Sequence, residues 1–86
     1  MRFRRTERFR KSYRKLSKED KEGAKKALSL LGQDIRHPSL RVKKVGGVTG
    51  IFEARASSKL RFTFEYQGDL ITLRVIGRHD EVLRNP

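Results

Sequence analysis

His79 stands directly after a strand-like segment that ends Arg74-Val75-Ile76-Gly77-Arg78, and Asp80 follows it. Imidazole exchanges protons near neutral pH, so this position suits general acid or base work. Two upstream segments carry Arg55 and Arg61, again in strand-like surroundings. A guanidinium presents a rigid fork of donors that matches a phosphate, which an ammonium does not. Arginines drawn from several strands beside one imidazole therefore suit binding, or cleavage, of a phosphodiester. Glu53 and Glu65 lie in the same segments. Either carboxylate could serve as an acid or base, or simply neutralise an arginine.

Other chemistries fit the chain poorly. It has no Cys, which excludes disulfides and thiolate metal sites. His37 and His79 are far apart with no ligand cluster beside them, so neither a metal nor a cofactor is expected. Gly46-Gly47-Val48-Thr49-Gly50 lacks the Lys-Ser/Thr of a phosphate-binding loop and sits between strands. No serine has an evident base to activate it.

The balance of 22 Lys and Arg against 10 Asp and Glu gives 86 residues a net charge of +12. Self-repulsion at that density is relieved by a polyanion, which ranks nucleic acid first, an acidic protein second and an anionic membrane surface third. A solvated basic surface with no dedicated partner is the bland alternative. The length allows one domain over residues 1–86. No apolar run follows the basic start Met1-Arg2-Phe3-Arg4-Arg5, and none approaches the roughly 20 residues of a membrane helix. A soluble, intracellular protein is expected.

The elements that must position these residues follow from periodicity. Arg2 to Arg5 reads as a short opening strand with Phe3 inward. Thr6 is a candidate N-cap for a helix whose stripe is Phe9, Tyr13 and Leu16. Ser17 with Asp20 resembles a capping box for a second helix, with Ala24, Ala27, Leu28 and Leu31 as its stripe and Gly32 as its stop. His37-Pro38-Ser39-Leu40 is a turn, with His37 structural. Strands follow at Arg41 to Val45, Ile51 to Ala56, Leu60 to Tyr66 and Leu70 to Ile76, the last two joined by a tight turn at Gln67-Gly68-Asp69. The expected fold is α+β, an N-terminal helical hairpin on a small, mainly antiparallel sheet of about four strands.

Strict alternation sorts the strands into two faces. Phe52, Ala54, Ala56, Leu60, Phe62, Phe64, Ile71, Leu73 and Val75 form an apolar set that should pack on the helices. Ile51, Glu53, Arg55, Arg61, Thr63, Glu65, Thr72, Arg74 and Ile76 form the other, mostly polar, set. Arg78 and His79 should sit at the strand end beside that polar face. It reads either as a cationic phosphate site or as a wet sheet face with cross-strand ion pairs.

In order and spacing, several segments resemble the RelE/ParE superfamily of bacterial toxins, RelE- and YafQ-like members especially. They are the Lys- and Leu-rich helical pair, His37-Pro38-Ser39-Leu40-Arg41-Val42-Lys43-Lys44, Gly50-Ile51-Phe52-Glu53-Ala54-Arg55, Leu60-Arg61-Phe62-Thr63-Phe64-Glu65-Tyr66 and Ile76-Gly77-Arg78-His79-Asp80-Glu81-Val82-Leu83. The resemblance spans almost the whole chain. It implies a cytoplasmic toxin of a type II toxin–antitoxin pair, an mRNA interferase that cleaves mRNA in the ribosomal A site without a metal. In that chemistry the substrate 2′-hydroxyl attacks the adjacent phosphate. The implied partners are mRNA on the ribosome, with 16S rRNA contacts, and a cognate acidic antitoxin.

Carried over by position, Arg61 matches the arginine that holds the scissile phosphate, and His79 the general acid for the leaving 5′-oxygen. Arg55 matches a position held by His or another cation. Lys43 or Lys44 matches a basic residue at the cleft edge, with the register open by one. Arg74 and Arg78 are further candidate RNA contacts on the sheet and its end. Asp80 and Glu53 are acid–base or structural candidates. Leu83 falls where relatives carry an aromatic that stacks on a base, a departure that removes roughly 1–3 kcal/mol of stacking. Two other readings remain: a ParE-like inhibitor of DNA gyrase, and a non-catalytic basic module that binds RNA or an antitoxin.

Overall fold

Thr6 and Ser17 begin the two long helices of the computed structural model, which covers residues 1–86. The Thr6 hydroxyl accepts from the Phe9 N–H and opens α1 (Glu7–Arg14). Ser17 does the same for the Asp20 N–H and opens α2 (Lys18–Gln33). Each satisfies a donor that a helix start leaves unpaired. Gly32 is not the stop: α2 runs on to Gln33, with Asp34 as its C-cap. Its lack of a side chain makes room instead, since a Cβ there would lie 3.2 Å from the Phe3 ring.

The sheet has five strands rather than four, in the order β1-β5-β4-β3-β2: β1 (Arg2–Arg5), β2 (Lys43–Lys44), β3 (Phe52–Arg55), β4 (Leu60–Gln67) and β5 (Leu70–Arg78). β2, β3 and β4 pair antiparallel in sequence, and β4 pairs antiparallel with β5. β1 lies parallel to β5 at the far edge. Where β1 ends, α1 takes over that edge. The Thr6 hydroxyl donates toward the carbonyls of Leu73 and Arg74, and the Ser12 hydroxyl accepts from the Ile76 N–H at 3.1 Å. β2 is shorter than the five residues expected because a 3₁₀ turn (Pro38–Leu40) leaves Arg41 in the left-handed region at φ 48°. His37 anchors that turn, its Nδ1 accepting from the Ser39 N–H.

Phe9, Ala24, Ala27, Leu28 and Leu31 of the helices pack on Ala54, Phe62, Phe64, Ile71, Leu73 and Ile76 of the sheet to form one core. Ile76 is there and Val75 is not, the reverse of simple alternation. Thr63 pairs with Val75 but Phe64 pairs with Leu73, so Arg74 is an extra residue, a β-bulge. The bulge leaves Arg74 and Val75 both on the polar face and turns Ile76 inward. A third helix, α3 (His79–Arg84), for which the sequence pattern set no expectation, follows β5 directly. It lies over the polar face, because a Cβ on Gly77, which pairs with Arg61, would meet Val82 at 3.5 Å.

Candidate functional site

Two rows of side chains define the polar face near α3. Arg55 on β3 stands directly opposite Arg61 on β4, and Arg61 opposite Gly77 on β5. One step along, Glu53 stands opposite both Lys43 and Thr63, and Thr63 opposite Val75. Like charges in direct register repel. Here the Ser57 carbonyl holds both arginines, accepting from Arg55 Nε at 3.3 Å and from an Arg61 terminal nitrogen at 2.8 Å. The same Arg61 nitrogen also donates to the Leu60 carbonyl at 3.0 Å. The Ser57 hydroxyl in turn accepts from the Lys59 and Leu60 amides, so the β3–β4 turn is itself pinned. Neither guanidinium forms an ion pair. Their remaining donors stay available to an anion.

His79 is two residues beyond Gly77 and opens α3, which places it at the same end of the sheet as the arginine pair. Its side chain is half exposed, and Nδ1 lies 3.4 Å from Asp80 Oδ1. No hydrogen bond ties it to Arg55 or Arg61, which both donate to the Ser57 carbonyl in the β3–β4 turn.

The remaining candidates separate by register. Lys43, opposite Glu53, belongs to the polar face, whereas Lys44 is opposite Phe52 and belongs to the helix side. Arg78 is opposite Leu60, so it too faces the helix side, where it lines a groove with Arg8, Lys11 and Lys15. The expectation that it joins Arg61 is corrected: adjacent strand residues point to opposite faces. Arg74 is on the polar face but is committed, paired with Glu65 and donating from Nε to the Pro86 carbonyl. Leu83 is half-buried in α3. No three His, Asp or Glu side chains group closely enough to share a metal ion.

Sequence reasoning missed the company Arg55 keeps at its free edge. A groove between α2, the 3₁₀ turn and the β3–β4 turn is lined by Lys26, Ser39, Arg41, Arg55, Ser57 and Ser58. Nothing in the local pattern brings Lys26 and Arg41 beside Arg55; only the tertiary fold does.

No protein-family model and no curated protein matches the chain by sequence. Solved structures do match it by shape. The Escherichia coli DinJ–YafQ complex matches with TM-score 0.79 at 15% identity, covering 95% of this chain and 98% of the other. The isolated E. coli RelE toxin matches with TM-score 0.70 at 21% identity, over 90% and 82%. A YoeB/ParE toxin from Agrobacterium tumefaciens matches with TM-score 0.78 at 13% identity, over 92% and 99%. With TM-scores of 0.70 to 0.79 over 90% or more of its length, the chain has the fold of the RelE/ParE-type bacterial toxins.

Proposed function

We propose that the protein is the toxin of a type II toxin–antitoxin pair and cleaves mRNA in the ribosomal A site by attack of the substrate 2′-hydroxyl. The observation that carries this reading is the Arg55–Arg61 pair, held on one carbonyl and free of carboxylates, with His79 at the same end of the sheet. Guanidinium donors fixed before the reaction stabilise the charge that develops on a pentacoordinate phosphate. His79 supplies a proton to the departing 5′-oxygen. The structural likeness to YafQ and RelE supports the toxin assignment. A similar DinJ–YafQ structure is a toxin–antitoxin complex, and a net charge of +12 favours an acidic antitoxin here.

The test is induction of the wild type, His79→Ala and Arg61→Ala in growing cells, with mRNA ends mapped by primer extension. Wild type is expected to cut within translated codons. His79→Ala should lower the cleavage rate by about 10²- to 10⁴-fold. Arg61→Ala should lower it by about 10²- to 10³-fold. Growth arrest with intact mRNA and altered DNA supercoiling would overturn the reading in favour of gyrase inhibition.

A further inference from the structure

Glu53 is only 5% exposed, in a protein where 22 cations outnumber 10 acids, yet no cation lies within ion-pair distance of it. Its carboxylate accepts no hydrogen bond from the protein, and no polar side-chain atom sealed from solvent lacks a partner. The oxygens are therefore almost wholly buried, each keeping only a small exposure to solvent. Charged groups surround it without closing on it: Lys43 across β2, Arg55 two residues along β3, and Arg61 diagonally on β4. Thr63, directly opposite, is engaged with the Pro86 carbonyl. An unpaired carboxylate in such a place costs stability that a neutral residue would not. Glu65 shows the ordinary solution on the same face, an ion pair with Arg74.

From this placement we infer that Glu53 is the general base of the cleavage reaction. The inference rests on the nuclease reading above and adds the group that reading lacks. Along β3, Glu53 lies roughly 7 Å before the arginine row, at about 3.3 Å per residue. His79 lies beyond the row on the opposite side. A phosphate gripped by Arg55 and Arg61 thus has a base on one flank and an acid on the other. The Glu53 carboxylate takes the proton of the 2′-hydroxyl, and the oxygen forms a bond to phosphorus. The bond from phosphorus to the 5′-oxygen breaks, and the His79 imidazolium gives that oxygen its proton. The products are a 2′,3′-cyclic phosphate and a 5′-hydroxyl, with Glu53 protonated and His79 neutral.

The test measures single-turnover cleavage on programmed ribosomes with saturating protein. Glu53→Gln, which keeps the shape, is expected to lower the rate by about 10²- to 10⁴-fold. Ribosome binding should be unchanged, and the ascending limb of the pH–rate profile should disappear. Glu53→Asp retains a carboxylate and should cut faster than Glu53→Gln, while Glu65→Gln should cut like wild type. An mRNA whose scissile 5′-oxygen is replaced by sulfur needs no acid, so it should restore His79→Ala but not Glu53→Gln. If Glu53→Gln cuts within about threefold of wild type, or keeps the limb, the assignment to Glu53 falls and the nuclease reading stands. Equal rates for Glu53→Asp and Glu53→Gln, or rescue of Glu53→Gln by the sulfur substrate, would also overturn it. A wild type that leaves mRNA intact overturns both.

Discussion

On the helix-covered face of the sheet, Phe62, Phe64, Ile71 and Leu73 are fully buried and need only area and shape. On the opposite face Thr63, Glu65 and Arg74 hold their places through named partners, whereas Glu53, Arg55 and Arg61 keep polar groups uncommitted to any opposite charge. The first face is specified by burial, which is non-directional. The second depends on register, because a guanidinium one residue out of place serves the wrong side of the molecule, as Arg78 does. A single extra residue, Arg74, couples the two by setting which of Val75 and Ile76 turns inward.

The sharpest way to break this comparison is to charge the two neighbours at the bulge. Ile76→Lys places an ammonium against the Phe62 side of the core and is expected to abolish folding by circular dichroism. Val75 is also buried, at 8% exposure, but it lines the groove beside α3. Val75→Lys can therefore carry its charge to water along the stem and should cost much less than Ile76→Lys. Equal tolerance of both would show that the bulge does not divide the faces. Phe62→Ala should cost about 3–5 kcal/mol in urea unfolding, since the ring is fully buried. Ser12→Ala strands the Ile76 N–H at the edge that β1 leaves open, and should cost about 1–2 kcal/mol.

The smallest effect is expected at the exposed hairpin turn. The Arg2 guanidinium, by hydrogen bond and then by charge, holds the Asp69 carboxyl below its ordinary value of 3.8. A lowered folded-state pKa stabilises above the unfolded value, and that contribution is lost as pH falls through the folded one. Asp69→Asn should therefore lower Tm slightly at neutral pH. The difference from wild type should shrink in acid and in high salt. A difference that grows in acid would contradict the pairing.

Much of the helix-covered face was legible in the residues. Thr6 and Ser17 cap where their types and spacing said they would, because capping is a contact within three residues. The apolar stripe of α2 and the alternation through Phe62 and Phe64 also read directly, since both periods are fixed by backbone geometry. Alternation failed at Arg74 because periodicity does not report where a partner strand inserts a residue. Gly32 carried the opposite lesson: a glycine near a helix end signals a stop, and only the distant Phe3 ring gives it another use.

By itself the sequence determined the α+β class, the excess of cation and the residue types available for phosphate chemistry, because these are properties of composition and short-range order. The tertiary structure decided which cations face the same way, which carboxylate is neutralised, and that Arg55 and Arg61 meet on one carbonyl. Those facts depend on pairing between strands whose register is set by the packed fold as a whole.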